Sequence, residues 1–296
     1  MKKIKLSNTG EKISIIGQGF WGIKSDKNQS YYEQWKILMR KGIELGITHI
    51  DTSKSFGYET IEGAISDVIT DYNRDDLFLT GKLSPGHFSY NRMKNIVNKS
   101  LKRLGIKSFD LYLIPDLTKF ISRRKSLRLL EDLVKEGKTR YIGVSNFTVN
   151  QFKKAQEHLR KTELVNNQLK IRNAYPHHIY DSLVYYEKKG ITATVYSTLR
   201  DFSKTGMNWY YPKNTKQSAR AQNITVQQIS IAWLIDQMNV VTLLNPLHIK
   251  YLEEISETID LEIDQNELVA LNNFKEQKYI FNKIENEIEI NNSKIV

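Results

Sequence analysis

Ile47-Thr-His-Ile-Asp51-Thr-Ser-Lys-Ser-Phe56-Gly-Tyr58-Glu59 reads as a short buried strand that runs out into a polar turn, with a helix pattern opening at Thr60. A carboxylate where a strand gives way to a loop is costly to bury, so Asp51 is expected to face a cationic partner or a ligand. The same strand, turn and helix unit repeats outward from this stretch. Upstream, Tyr31 to Leu45 has helical spacing through Trp35, Leu38 and Met39 and closes at Gly46. Before it, Ile15 to Phe20 is an apolar strand ending in the glycine-bearing loop Gly17-Gln-Gly-Phe-Trp-Gly22. Ile4 to Leu6 and Ile13 to Ile15 flank Ser7-Asn-Thr-Gly10 as a β-hairpin.

Downstream the alternation continues. A helix over Thr60 to Thr70 leads to a strand at Leu77 to Thr80 and then to Gly81-Lys82. Met93, Ile96, Val97, Ser100, Leu101 and Leu104 line one helical face that Gly105 terminates. Further strands are expected at Asp110 to Ile114, Tyr141 to Val144, Glu163 to Gln168, Ile191 to Tyr196 and Val240 to Leu244. Between them fall a helix marked by Leu127, Leu130 and Val134, a polar helix after Phe147, and a helix over Ser182 to Lys188. Thr225 caps an apolar helix, Val226 to Leu234, and two more helices are expected at Ile249 to Thr258 and Gln265 to Phe274. Eight strands alternating with helices favour an α/β (β/α)8 TIM barrel over an open doubly wound sheet, with an N-terminal β-hairpin and extra C-terminal helices. The 296 residues read as a single domain, 1–296. One stretch breaks the rhythm: Arg200 to Gln222 is polar, carries Trp209, Tyr210 and Tyr211, and is long enough for a functional loop.

Composition narrows the classes. There is no cysteine, which removes disulfides, thiolate metal sites and a cysteine nucleophile; no metal site is expected. The start, Met1-Lys-Lys-Ile-Lys-Leu6, lacks the apolar run of a signal peptide, and no apolar run is long enough to span a membrane. A soluble, cytoplasmic protein is the expectation. The net charge of +11 would suit nucleic acid or an anionic membrane. The basic residues are nevertheless spread along the chain and mixed with acids, so neither partner is expected. A small-molecule substrate is.

In a barrel of this kind chemistry collects where strands end. Those ends read Asp51, Lys82, Pro115, Ser145, Asn146, Gln168 and Tyr196. Lys82 and Asp51, on neighbouring strands, can pair across the mouth, either as a structural ion pair or as working acid–base groups.

Several stretches together resemble the aldo-keto reductase family. The run from Asp51 to Glu59 is similar to its Asp-Thr-Ala-x-x-Tyr-Gly-x-Glu signature. Gly137-Lys-Thr-Arg-Tyr-Ile-Gly-Val-Ser-Asn-Phe147 matches its Gly-Lys-x-Arg-x-Ile-Gly-Val-Ser-Asn-Phe almost letter for letter. Asp110-Leu-Tyr-Leu-Ile114, Val226 to Leu234 and Asp264-Gln-Asn-Glu-Leu268 are similar to further family segments. The resemblance implies a nicotinamide cofactor, NADP or NAD, with Ser145, Asn146 and Gln168 at the carboxamide, Tyr196 stacked on the ring, and Glu254 at the adenine end. It also implies a tetrad of Asp, Tyr, Lys and His, in which the tyrosine protonates the substrate carbonyl. Asp51 and Lys82 keep their positions. The tyrosine position is Phe56 and the histidine position is Pro115. Around the adenine end, the family's lysine, serine, arginine and asparagine positions are Asn245, Pro246, Tyr251 and Ile255; His248 and Lys250 either meet a phosphate or are surface residues.

Other acids near the mouth are Tyr58, Asp116 and His87, and Lys82 itself can supply a proton if burial lowers its pKa. Asp51, Lys82 and Tyr58 are therefore the candidate catalytic residues. The expected function is a nicotinamide-dependent oxidoreductase on a polar carbonyl or alcohol such as a sugar, with an atypical site. Two alternatives stay open: a nucleotide-binding protein without redox turnover, and a lyase or isomerase using Lys82 and Asp51.

Overall fold

The computed structural model describes residues 1–20, 29–52, 59–83, 89–115, 123–170, 177–196, 219–220, 222–245 and 248–261. Strands β1 (Lys3–Lys5) and β2 (Lys12–Ser14) form an antiparallel hairpin. Eight parallel strands follow: β3 (Ile16–Gly19), β4 (His49–Asp51), β5 (Phe78–Lys82), β6 (Phe109–Pro115), β7 (Thr139–Ser145), β8 (Leu164–Lys170), β9 (Thr192–Tyr196) and β10 (Val240–Leu244). They pair in sequence order, and β10 returns to β3 to close the barrel. The barrel expected from the alternation is the one observed.

Each barrel strand is followed by a helix: α1 (Gln29–Glu44), α2 (Glu59–Ile69), α3 (Tyr90–Leu104), α4 (Arg123–Lys135), α5 (Val149–His158), α6 (His177–Lys189), α7 (Val226–Asp236) and α8 (Ile249–Glu257). Their ends follow local chemistry. Ser89 caps α3 by accepting the Arg92 N–H, and Gly105 ends it in the left-handed region at φ 66°, which a glycine enters without steric cost. Thr148 and Thr225 each open a helix with a reciprocal capping box, to Gln151 and Gln228. Helix α6 begins well before Ser182, where apolar spacing first became visible. The expected helix at Gln265 to Phe274 and nearly all of the Arg200 to Gln222 loop lie outside the described residues.

The hairpin seals the barrel's lower end. Leu6 and Ile13 are buried with Phe78, Leu111, Leu113, Val165 and Val241 in one apolar cluster inside the barrel. Ser7 donates through its backbone N–H to Thr192 Oγ1 at 2.7 Å and through its hydroxyl to the Val165 carbonyl. At the same end Asp110 accepts Arg74 Nη2 at 2.7 Å, Arg140 Nη1 at 3.0 Å and the Leu79 N–H at 2.7 Å.

Gly17, expected in a loop, lies within β3 instead, because its β4 and β10 neighbours hold it in register. A Cβ there would come within 2.5 Å of Leu243 and 3.0 Å of His49, so the glycine is what lets these side chains fill the barrel. His49 is buried. Its Nε2 lies 2.9 Å from Thr80 Oγ1, and its ring meets Phe78 edge-on at 5.2 Å. Burial pulls its pKa down to about 3, so the imidazole is neutral at physiological pH.

Candidate active site

Parallel pairing delivers every strand's C-terminal residue to the same mouth. Asp51 ends β4, Lys82 ends β5, Pro115 ends β6, Ser145 ends β7 and Tyr196 ends β9, with Gln168 two residues from the end of β8. The expected lysine–carboxylate pair is present: Lys82 Nζ lies 3.6 Å from Asp51 Oδ2, with the two side chains 10% and 1% exposed. Burial raises the Asp51 pKa, opposed by Lys82 and by the Gln168 hydrogen bond. Burial also lowers that of Lys82, opposed by Asp51. Pair attraction in so dry a setting roughly offsets desolvation, so the pair is weak evidence of a stabilising role.

Gln168 joins the two. Its Nε2 donates to Asp51 Oδ1 at 3.0 Å, and its Oε1 accepts a hydrogen bond from Lys82 Nζ. Among the described residues, Asp51 Oδ2 has no hydrogen-bond partner, only the ion pair. The sequence placed Gln168 at a strand end but gave no sign of this bridge, which depends on β4, β5 and β8 meeting across the barrel.

Next to this pair, Ser145 Oγ donates to the Gln168 carbonyl at 3.1 Å. Asn146 takes φ 59°, a left-handed conformation that asparagine tolerates better than most residues, and this turns the chain out of β7. Its backbone N–H donates to the Gln168 carbonyl at 2.9 Å. Its side chain accepts the Lys170 N–H at 2.8 Å and donates to Tyr196 Oη at 3.1 Å. Three strand ends are thereby laced together. From below, Asn167 donates to the Phe147 carbonyl at 2.8 Å and to Tyr186 Oη at 2.6 Å, which anchors the turn. Lys82 Nζ also sits 5.4 Å from the centre of the Tyr196 ring, within reach of a cation–π attraction. Asp51, Lys82, Ser145, Asn146, Gln168 and Tyr196 thus form one connected constellation.

Glu254 does not join it. Its carboxylate lies 3.9 Å from Lys250 Nζ, and its carbonyl accepts from Gln228 and Thr258. His248 caps α8, its Nδ1 accepting the Tyr251 N–H at 3.0 Å. Tyr58, Phe56, His87 and Asp116 lie outside the described residues. Pro115, where the family pattern has histidine, closes β6 in register with Ser145 and offers neither an imidazole nitrogen nor a backbone N–H.

A parallel barrel with a lysine–carboxylate pair and a Ser-Asn turn at its mouth is the architecture of a known class. The aldo/keto reductase family model matches residues 15–276, and the chain belongs to that family. It is similar to the methylglyoxal reductase YeaE of Escherichia coli K12, 25% identical over 88% of this chain and 90% of that protein. The crystal structure of the thermostable aldo-keto reductase Tm1743, solved with the inhibitor epalrestat, superposes with a TM-score of 0.82 at 30% identity. That match covers 92% of this chain and 99% of Tm1743. An aldo/keto reductase from Klebsiella pneumoniae, solved with NADP and acetate, gives 0.77 at 25% identity, covering 89% and 92%.

Proposed function

We propose that the chain is an oxidoreductase that uses NADP or NAD to interconvert a polar carbonyl compound, such as a sugar, and its alcohol. The observation that carries this reading is the connected constellation of Asp51, Lys82, Ser145, Asn146, Gln168 and Tyr196. The NADP held by the Klebsiella pneumoniae relative supports it.

The donor set suits a nicotinamide. Asn146 is exposed, and its NH2 group can exchange its long 3.5 Å contact with Ser145 Oγ for a carboxamide oxygen; Ser145 Oγ, whose proton is spent on the Gln168 carbonyl, can then accept a carboxamide N–H. Tyr196 is partly exposed and supplies an aromatic face. Glu254 enters as the adenine-end candidate by sequence position alone. When bound, the reduced nicotinamide supplies hydride to the carbonyl carbon.

The chain's own task is the proton. With Phe56 and Pro115 in two tetrad positions, we assign the proton to the Lys82 ammonium, and leave to Tyr196, another protic side chain at the described strand ends, the role of ring face. In reduction, Lys82 gives an N–H proton to the carbonyl oxygen, and Asp51 remains ionised beside it. In alcohol oxidation the neutral amine takes the proton back. Tyr58 is the competing donor, on sequence position alone.

The test combines binding and turnover. NADPH should quench protein fluorescence and raise the melting temperature, and a panel of aldehydes, ketones and sugars should yield at least one substrate that consumes it. Lys82→Met should lower kcat by about 10²–10⁴, whereas Tyr58→Phe should not. Binding with no turnover across the panel would instead favour a redox-inactive nucleotide-binding protein.

A further inference from the structure

We infer that Gln168 is a positioning residue that holds the Lys82–Asp51 pair in its charged form. Two opposite charges 3.6 Å apart and buried at 10% and 1% exposure have a neutral alternative. One proton moved from Lys82 to Asp51 leaves an amine beside a carboxylic acid, with neither charge left to desolvate. Burial favours this outcome, because it pushes the lysine down and the aspartate up. The amide of Gln168 opposes it at both ends. Oε1 accepts an N–H of Lys82 and Nε2 donates to Asp51 Oδ1 at 3.0 Å, and each bond is stronger when its partner is ionised than when it is a neutral amine or acid.

The assignment of the amide's two ends follows from charge. Flipped, the oxygen would face a carboxylate and the NH2 group an ammonium. Gln168 is 1% exposed, so water does not substitute for it. Its carbonyl is fixed as well, by Ser145 Oγ and the Asn146 N–H, which leaves the side chain little freedom to turn away.

Among the described residues, the titratable groups facing Lys82 are Asp51 on β4 and Tyr196 on β9. From β6 and β7, Leu113, Pro115 and Ser145 bring no charge, and His49, further down β4, is neutral. The inference concerns the same site as the oxidoreductase reading, but it is tested without cofactor or substrate, so either can fail alone.

The experiment is competitive labelling of the whole apo protein with acetic anhydride, read at Lys82 by mass spectrometry across pH, with exposed Lys250 as internal reference. In Gln168→Leu, close in size but unable to hydrogen-bond, Lys82 should label about tenfold faster near pH 8, its profile moving about one unit toward acid. Gln168→Glu adds a carboxylate and should move the profile the opposite way by about as much. Circular dichroism and melting establish that each variant is folded; if the leucine variant is not, the glutamate variant decides. Profiles within about twofold of wild type would overturn the inference. So would shifts in the same direction for both variants, which would mark a change of access rather than of protonation.

Discussion

Lowering the pH charges His49 in a place that cannot solvate it. The imidazole is buried between Phe78 and Gly17, its Nε2 beside Thr80 Oγ1, and its Nδ1 has no hydrogen-bond partner among the described residues. Its pKa falls from 6.5 to about 3 in the folded protein, with burial as the cause. A depressed folded pKa means that the unfolded chain takes up the proton first. The stability associated with neutral His49 is thus complete above about pH 6.5 and is lost as the pH falls toward about 3. At about 1.4 kcal/mol per pH unit, the loss at about pH 4.5 is about 2.7 kcal/mol. Other groups titrate over the same range, so the informative quantity is a difference between two proteins. Urea unfolding of wild type and His49→Gln at about pH 7 and about pH 4.5 isolates it, because carboxylates common to both cancel. The wild type should lose about 2–3 kcal/mol more than the variant over that interval. If the two lose stability in parallel, to within about 0.5 kcal/mol, the buried neutral histidine is not what the geometry says it is.

Phe56→Tyr restores a phenol at the family's acid position and should raise carbonyl reduction by about 10²–10⁴ on any substrate found, measured as kcat by the absorbance of reduced nicotinamide. No gain would show that the mouth has been rebuilt beyond that one hydroxyl. Gly17→Ala drives a methyl to 2.5 Å from Leu243 and should cost about 1–3 kcal/mol in chemical denaturation. Asp110→Ala strips the buried Leu79 N–H of its acceptor and should cost about 1–3 kcal/mol. Arg74 and Arg140 add little to that figure, since their side chains are 33% and 49% exposed and can return to water.

The fold was legible because period and punctuation agree. Gly105 stops α3, Thr225 opens α7, and the strands between them carry apolar runs short enough to be buried on both faces. Local signals fell short where tertiary contact decides. Gly17 reads as a loop glycine until Leu243 and His49 are seen to need its space. The early start of α6 has no apolar periodicity to announce it. Within the site, Asp51 and Lys82 were legible as charges at neighbouring strand ends, and the Ser145-Asn146 turn as part of a specific motif. The Gln168 bridge and the reach of Asn146 to Tyr196 were not, because each joins strands far apart in the chain whose registers no local pattern encodes.

The seal at the foot of the barrel also bears on how the chain reaches this structure. Ser7 bonds to Thr192, 185 positions later, and Leu6 and Ile13 pack against Val241, so the hairpin finds its final packing only once β9 and β10 have been made. A contact spanning that separation is slow to form, and apolar side chains waiting for it are exposed to other nascent chains meanwhile. On the ribosome, this hairpin is made well before β9 and β10 and waits for both before it is buried.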